Sequence, residues 1–563
     1  MKRVYVYYQK SVPFILALVL SVLFMLPMLH KGLPNGHDLL YHLSRVMGSY
    51  ELLNVGVFPA KILPGFYFDY GYAVGLFYPT ALLYIPVFLM KLGLNIIPAY
   101  LVFIFLINYF TTLSMYYATL KITKSQWIAI VASVLYVLAT YRTYSDFYTR
   151  QALGEFIGMM FIPIVFSAMY DIIWGDVKYW PILTIGMVGL ITSHTLSTIL
   201  ISLYLTLLVV FNLHRFIHQP KRLGYLVLAA LMTLGLTSNY LLSMWQMMKS
   251  DTFQYMEPWT LAMWNAVSEL KAAFYGFWVV SKFPYGLDYI TAVIVLMGSF
   301  IYAKRIFKSA MLGFMVVAGV ISLALTSTIV TPDVTELMNF MQFPWRLFIF
   351  ITFFSSVLAA YILNQIPQTW VRNGLAFLLV VYTMASYLGF SNAYMEHHPI
   401  YTDFPGYSPY HASAEFIPLD ANMNKLIARS FKQQVVSNNE INYTYKREAD
   451  SYTIYFSENT KSDSILEVPL LYYRGYAAYI TSPQGNAFLD ISDNDNALIS
   501  VKLADYKEGT IRVFYNGTKL QKYSQLFNLV FYFVFMIVLI YPKAKKYILR
   551  KFRLGSKKET KSI

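Results

Sequence analysis

Residues 12–29 read VPFILALVLSVLFMLPML, an almost wholly apolar run of the length that crosses a bilayer as one helix. Similar runs recur along the 563-residue chain, which is 57% hydrophobic and only 13% charged. No small-residue cleavage site follows the first run, so we interpret it as a retained signal anchor. These features predict a polytopic, all-α membrane protein.

The number of spans follows from the positions of lysine and arginine. Basic residues at 2–10 and in the tail at 542–563 place both termini in the cytoplasm. The run at 74–93 contains Pro79 and Pro86, so we expect it to form juxtamembrane helices on the outer side instead of a span. Twelve spans are then predicted at about 12–29, 97–120, 126–141, 154–174, 180–194, 196–213, 224–245, 288–303, 308–327, 346–364, 373–391 and 524–541.

Composition also excludes several classes of site. The chain has no cysteine, which rules out disulfides and thiolate chemistry. Its net charge of +15 comes from basic residues beside the spans and in the tail, so we expect membrane lipid and no nucleic acid as a partner. The 49 Tyr, 42 Phe and 9 Trp suit rings that anchor many helix ends at the bilayer surface.

One part of the chain has the composition of a soluble domain. Residues 392–523 contain alternating stretches such as 451–456 and 498–503, separated by turns. We expect a small extracytoplasmic β-sandwich there, before the last span at 524–541. Residues 1–391 form the transmembrane domain in this interpretation, and 542–563 form a basic cytoplasmic tail. A second outer insertion, rich in Trp and Tyr, is expected at 246–287.

Ionisable side chains concentrate just beyond the first span. The stretch 35–45 reads NGHDLLYHLSR, and in a helix Asp38, His42 and Arg45 would follow one another at i, i+4 and i+7 on one face. The predicted topology places further polar residues on the same outer side of the membrane. These are Asp69, Asp146, Arg150, Glu155, His194, Gln342 and Arg346.

Several phrases of this sequence resemble a known family. Residues 36–45, 71–79, 150–155, 193–194 and 342–346 look like the bacterial multispanning proteins catalogued as related to 6-pyruvoyl-tetrahydropterin synthase. These proteins are similar to the YfhO group and, more distantly, to the GT-C glycosyltransferases. The similarity covers nearly the whole chain.

The resemblance implies a fold and a chemistry. In GT-C enzymes an acidic residue of the first outer loop serves the reaction, juxtamembrane helices precede the second span, and the donor is a sugar on a polyprenyl phosphate. Asp38 and the run at 74–93 occupy the first two of these positions. The first loop has no Asp-X-Asp or Glu-X-Asp pair, so a divalent metal stays open as a cofactor.

The same roles follow from general chemistry. Transfer from a lipid-linked sugar phosphate needs a base for the acceptor hydroxyl and cations for the leaving phosphate. Asp38 is the candidate base, and His42 the group that orients it or the acceptor. Guanidinium binds phosphate bidentately, which makes Arg45, Arg150 and Arg346 the phosphate candidates. Candidates for binding the sugar or the acceptor are Asp146, Glu155, His194, Asp69 and Gln342.

Simpler interpretations stand beside these roles. Each arginine could pair with a neighbouring carboxylate, and Glu155 could only complement the dipole of its helix. Asp38 and His42 could instead be two ligands of a metal.

The expected function is glycosyl transfer from a polyprenyl-phosphate donor to an extracytoplasmic cell-envelope polymer. The enzyme would lie in the bacterial plasma membrane with its active site facing outside. The alternatives are a transporter or flippase of a lipid-linked sugar and a non-catalytic assembly protein of the envelope. Charge is nearly absent from the centres of the predicted spans, which argues against transport.

Overall fold

The structure is a computed structural model that describes residues 2–254, 287–326, 341, 343–407, 415–429 and 434–559. Most of these residues are helical. The helices that precede the β domain are α1 Lys2–Met25, α2 Leu39–Asn54, α3 Val74–Phe77, α4 Tyr84–Lys91, α5 Ile96–Thr123, α6 Gln126–Val137, α7 Leu153–Ile173, α8 Trp180–Ile191, α9 Thr195–Phe211, α10 Leu213–His218, α11 Pro220–Ser250, α12 Tyr289–Ile301, α13 Ala303–Ile306, α14 Ala310–Leu325, α15 Phe348–Leu363 and α16 Thr369–His397. Helix α17 Met423–Arg429 lies within the β domain, and α18 Lys519–Glu559 follows it.

Seven helical segments of the described residues are long and apolar enough to cross a membrane. The chain is therefore a multi-pass membrane protein. The seven segments are Ile96–Thr123, Gln126–Arg150, Leu153–Ile173, Pro220–Ser250, Pro344–Leu363, Thr369–His397 and Lys519–Tyr541. The other five predicted spans coincide with apolar helices of 10–17 residues, so the total of twelve stays a prediction.

The apolar run at 74–93 does not form one helix. It is divided into α3, a 3₁₀ turn at Ala81–Leu83 and α4. The longest of these pieces has 8 residues and cannot cross a bilayer. Helix α4 packs on both α2 and α5. The expectation of short helices in the first loop is therefore met.

The predicted loop after the third span is instead a π-helix, Tyr141–Arg150, which begins shortly after α6 ends at Val137. Its ten residues include eight that are buried. Gln151 ends the π-helix in the left-handed conformation, with φ 54°, and α7 begins two residues later. A π-helix of this kind often marks a functional site, because the wider turn displaces side chains from their usual positions.

Helix α15 lies at the centre of the bundle. Fifteen of its 16 residues are buried, and it packs on α6, α12 and α14. The chain enters it through a 3₁₀ turn, Pro344–Leu347, that contains Arg346. The packing of the central helix thus fixes the position of this arginine.

The β domain consists of two antiparallel sheets. Their strand orders are β3-β6-β10-β9 and β4-β5-β11-β7-β8. Side chains of both sheets share one hydrophobic cluster, as alternating strands with one buried face require. The strands are β3 Val436–Ser437, β4 Asn442–Arg447, β5 Ser451–Ser457, β6 Ile465–Leu471, β7 Tyr476–Ser482, β8 Gly485–Leu489, β9 Ile491–Asp493, β10 Leu498–Lys502 and β11 Gly509–Tyr515.

The flanking helices extend further than predicted, since α16 continues to His397 and α18 begins at Lys519. Most of the predicted insertion at 246–287 lies outside the described residues, which stop at 254 and resume at 287.

The first loop is held against the segments that follow α16. Strand β1, Leu33–Pro34, pairs with β2, Ile400–Tyr401. Further along the loop, Leu471 N–H donates to the Tyr70 carbonyl at 2.9 Å. Apolar residues of 60–77 and of the β domain form one common cluster. The loop that contains the candidate base is therefore an ordered part of the core.

Candidate active site

Two backbone features bring Asp38 beside Arg150. Asp38 N–H donates to the Arg150 carbonyl at 2.9 Å, which docks the start of α2 on the end of the π-helix. A Cβ atom on Gly36 would lie 2.3 Å from Gln151 Cγ, so only glycine allows this approach. The packing of this segment on the end of the π-helix therefore explains why residue 36 is glycine.

Glu155 joins two arginines from different parts of the chain. Its Oε2 lies 3.1 Å from Arg150 Nη1 and 3.6 Å from Arg346 Nε. Tyr141 donates its hydroxyl to Oε1 at 2.6 Å. The turn at Gln151 reverses the chain, which places Glu155 in the first turn of α7 next to Arg150. Glu155 is only 1% exposed and is a shared counter-ion, a larger role than the helix-dipole interaction considered above.

Asp146 is a second carboxylate close to Arg150. Its Oδ1 is 3.5 Å from Arg150 Nη1, and its side chain is fully buried. Within the described residues, neither carboxylate oxygen of Asp146 accepts a hydrogen bond. The same Arg150 nitrogen therefore has two carboxylates within 3.5 Å, and a buried cluster forms from Asp146, Arg150, Glu155 and Arg346. We call these four residues the Arg–Glu cluster.

Asp38 is the solvent-accessible carboxylate at this cluster. Arg150, Arg346 and Glu155 are among the charged groups that act on it. Protein surrounds Asp38 on most sides, and the resulting desolvation raises its pKa although the arginines oppose the shift. A carboxylate with a raised pKa that remains accessible is suited to accept a proton.

His42 and Arg45 form a separate, buried group. The residues after Asp38 are helical, as considered above, but both side chains point into the core. Arg45 donates to His42 Nδ1 at 3.3 Å and to the Pro79 carbonyl at 2.6 Å. Its guanidinium also stacks on Tyr78, 4.3 Å from the ring centroid. Arg45 thus ties α2 to the segment at 78–79, and within the described residues no ion pair forms between it and a carboxylate.

His42 is neutral in this environment. Burial, together with the positive charge of Arg45, holds its pKa well below the usual range of imidazole. Arg45 and His194 are the charged or titratable groups that lower its pKa, and the described contacts join neither His42 nor Arg45 to the Asp38 carboxylate. No described contact therefore supports the expectation that His42 orients Asp38.

Tyr78 lies between the two groups and was not among the candidates. Arg45, Asp38 and Arg346 all act on its hydroxyl. Burial raises the pKa of Tyr78 to about 12, so the phenol stays protonated. A Cβ on Gly154 would lie 2.1 Å from the Tyr78 hydroxyl oxygen, so glycine is needed there. Tyr78 lies in the segment 71–79, which the sequence analysis had noted for its family resemblance and which could have identified it.

His194 is also close to the Arg–Glu cluster. It caps the start of α9, where its Nδ1 accepts from Ser197 N–H at 3.3 Å. Arg346, Glu155 and Arg150 are the charged groups that act on it. Capping by Nδ1 leaves Nε2 as the ring nitrogen for another partner.

Asp69 is not part of this arrangement. Asp69 Oδ1 accepts from Gly65 N–H at 2.7 Å and pairs with Arg447 Nη2 at 2.6 Å. Arg447 belongs to β4, so Asp69 connects the first loop to the β domain. Gln342 lies outside the described residues.

Comparisons with known proteins give only distant similarity. No family model and no curated protein matches the chain. The apo oligosaccharyltransferase of Archaeoglobus fulgidus aligns with 70% of this chain at 13% identity and a TM-score of 0.39. This chain spans 57% of the length of that protein.

Two further solved structures contain lipid phosphates. ArnT from Cupriavidus metallidurans bound to undecaprenyl phosphate aligns with 68% of this chain and 76% of its own length, at 13% identity and a TM-score of 0.42. AglB from Archaeoglobus fulgidus, in complex with an inhibitory peptide and a dolichol-phosphate, aligns with 70% of this chain and 57% of its own, at 12% identity and a TM-score of 0.40. Scores of this size carry no functional argument.

A divalent metal gains no ligand set from the described residues. Among them, no group of three His, Asp or Glu side chains is placed to hold a metal ion. The sequence analysis left a divalent metal open and did not predict one. The arrangement itself supplies two guanidinium groups for an anion and one accessible carboxylate for a proton.

Proposed function

We propose that this protein is a GT-C-type glycosyltransferase that moves a sugar from a polyprenyl phosphate to a hydroxyl of an extracytoplasmic cell-envelope polymer. One observation carries the proposal. Arg150 and Arg346, brought together from different elements, share Glu155 beside the accessible carboxylate of Asp38. A phosphate leaving group and an acceptor hydroxyl need this combination of charges.

The chemical step uses these groups directly. The acceptor oxygen attacks the anomeric carbon of the sugar, and its proton passes to Asp38. The bond between that carbon and the phosphate oxygen breaks, and the electron pair leaves with the polyprenyl phosphate. Arg150 and Arg346 then hold the phosphate charge, and the Tyr78 hydroxyl can donate a hydrogen bond to the phosphate or the sugar. Asp146 and His194 remain the candidates for binding the sugar.

The shared carboxylate has a function in the empty site. Two guanidinium groups without an anion would repel each other in a buried region, and Glu155 prevents this. An incoming phosphate would take over part of this interaction, so donor binding exchanges one anion for another. The arginines are thereby held in position before the donor arrives.

Cavities near the cluster suit a lipid-linked donor. A cavity of about 120 Å³ between α12, α14 and α15 is lined mainly by apolar side chains. It shares Leu287 and Ser355 with a small neighbouring cavity that also contacts Tyr141, and Tyr141 donates to Glu155. An apolar chain placed in the larger cavity would keep its phosphate within the neighbourhood of the arginines.

The charge distribution supports an outward-facing site. Helix α7 begins beside the cluster at Glu155, and near its other end Asp171 pairs with Lys121. The two carboxylates are sixteen positions apart along α7, a rise of about 24 Å, which is most of the thickness of a bilayer core. Arg222 also lies at that far end and donates to the Ile172 carbonyl at 2.7 Å. Basic residues favour the cytoplasmic side, so these positions support the proposal that the site faces outside.

Sugar transfer by the purified full chain tests the proposal. The protein is reconstituted in lipid with a set of labelled polyprenyl-phosphate sugars and a cell-envelope polymer fraction. We expect Asp38→Asn to lower the rate by about 10²- to 10⁴-fold, because the amide cannot accept the proton. Asp403→Asn makes the same change on an exposed loop and should keep the wild-type rate. Full activity of Asp38→Asn would exclude Asp38 as the base, and no transfer from any donor would exclude the proposed function.

A further inference from the structure

A second cavity lies away from the Arg–Glu cluster, where the first loop, the β domain and the start of α18 meet. Its volume is about 220 Å³. Lys61 of the first loop and Lys522 of α18 line it, together with Tyr476 and Tyr515 of the β domain. Three separate parts of the chain therefore contribute polar groups to one cavity.

The other charged residues at this cavity already have partners of opposite charge. The three ion pairs are Arg447 with Asp69 at 2.6 Å, Glu448 with Lys446 at 2.7 Å and Asp450 with Arg512 at 2.8 Å. Each of these pairs is electrically neutral. The net charge at the cavity therefore comes from its two lysines.

The two lysines have only amide partners among the described contacts. Lys61 Nζ donates to Gln521 Oε1 at 3.0 Å, and Lys522 Nζ donates to Asn516 Oδ1 at 2.9 Å. Burial and then the charge of Lys522 lower the pKa of Lys61 to about 8. Two cations without a carboxylate thus repel each other in a partly enclosed space, and an anion would relieve this repulsion.

The neighbouring groups hold Lys61 at the edge of the cavity. Gln521, which accepts from Lys61, is buried and also bonds the Tyr515 hydroxyl at 2.9 Å. Gly517 has φ 74°, and a Cβ on it would lie 3.6 Å from Lys61 Nζ. The backbone there adopts a conformation that favours glycine and leaves room beside the ammonium group. The site is therefore built before any ligand binds.

The position of the cavity indicates the source of the anion. Lys522 lies in the first turn of α18, within the candidate span Lys519–Tyr541. Large apolar side chains follow it at once, with Leu526 62% and Phe527 51% exposed. Phe58, another lining residue, is 59% exposed. The cavity thus lies where the last span enters the apolar phase, the level at which lipid headgroups are found.

We propose that this cavity binds the phosphate of an anionic phospholipid headgroup between Lys61 and Lys522, with the hydroxyls of Tyr476 and Tyr515 beside the rest of the headgroup. The bound lipid connects the first loop to the last span and the β domain. Since Asp38 belongs to the same loop, lipid occupancy restrains the segment that contains the candidate base. This site is separate from the proposed donor site and does not depend on it.

Binding of a fluorescent phosphatidylglycerol to the purified full chain in detergent tests this site. We expect the double variant Lys61→Gln/Lys522→Gln to bind at least about tenfold more weakly, because each basic residue near anionic headgroups contributes about fivefold to the affinity. The control Lys502→Gln/Lys507→Gln removes two exposed charges from the β domain outside the cavity and should bind within about twofold of wild type. Lys61→Arg/Lys522→Arg keeps both charges and should retain binding, with an unchanged melting temperature.

Three results would overturn the proposal. One is equal weakening in the control, which would mean general attraction to the basic surface. Another is wild-type binding by the glutamine double variant. The third is competition by soluble glycerol 3-phosphate at the same concentration as the lipid, which would assign the site to a free phosphate. Fluorescent phosphatidylcholine, a zwitterionic lipid, should bind wild type and the double variant equally.

Discussion

Replacing Glu155 by glutamine tests the organisation of the Arg–Glu cluster. Glutamine has nearly the same size and can still accept from the Tyr141 hydroxyl, which lies 2.6 Å from Oε1. It removes only the negative charge that Arg150 and Arg346 share at 3.1 and 3.6 Å. The variant therefore separates the effect of charge from the effects of shape and hydrogen bonding.

The expected loss of stability is large. Removing one partner of a buried ion pair costs about 3–5 kcal/mol, because the remaining charge stays buried without compensation. Glu155 and Arg150 are both buried, and Asp146 at 3.5 Å from Arg150 compensates in part. We therefore expect about 3 kcal/mol, which corresponds to about a hundredfold change in the unfolding equilibrium.

The assay is reversible unfolding of the full chain in mixed micelles, followed by intrinsic fluorescence. The control is Asp176→Asn, since Asp176 and its partner Lys178, 2.6 Å apart, are both exposed and removing this charge should change stability little. An equal loss in both variants would refute the conclusion that Glu155 is the shared counter-ion of Arg150 and Arg346. Added polyprenyl phosphate should restore more stability to Glu155→Gln than to the control, because its phosphate supplies the missing anion.

Three further results are expected. Gly36→Ala should destabilise the fold by about 1–3 kcal/mol in thermal unfolding, since its Cβ would lie 2.3 Å from Gln151 Cγ. Arg45→Lys should cost about 1–3 kcal/mol by losing the fork that reaches the Pro79 carbonyl, while the KM for donor stays constant; a raised KM with normal stability would instead favour phosphate binding by Arg45. Because burial raises the pKa of Asp38, transfer should be lost as pH falls through a midpoint above the ordinary carboxyl value of about 4, and the pH–rate profile of Asp38→Glu should keep this limb with a different midpoint.

Local features of the chain were predictable from the sequence. Proline at 79 and 86 indicated a broken run in the first loop, and the structure has only short helices there. Alternation at 451–456 and 498–503 predicted strands, which are β5 and β10. These features depend on residues close to one another, so a local pattern is sufficient to detect them.

The spacing of Asp38, His42 and Arg45 did not predict their contacts. Helical periodicity gives the direction of a side chain relative to its own helix, but packing of neighbouring elements decides which direction is core. Here Arg45 meets the carbonyls at 78–79, and Asp38 meets the end of the π-helix. The π-helix itself was expected to be a loop because its sequence is polar. Tertiary packing instead buries it, and Arg142, for example, donates to Asn108 of α5 at 2.8 Å.

The sequence by itself determined the membrane class, the separate β domain and most of the residues that belong to the candidate site, because burial in lipid or protein demands composition and periodicity that are visible locally. Only the tertiary structure decided that Glu155 is shared by Arg150 and Arg346, that Asp69 instead binds Arg447, and that Lys61 lies in a cavity with Lys522. Each of these relations joins residues whose distance depends on how helices and sheets pack. The energy of an ion pair depends on the distance between the two charges in space, and separation along the sequence does not give that distance.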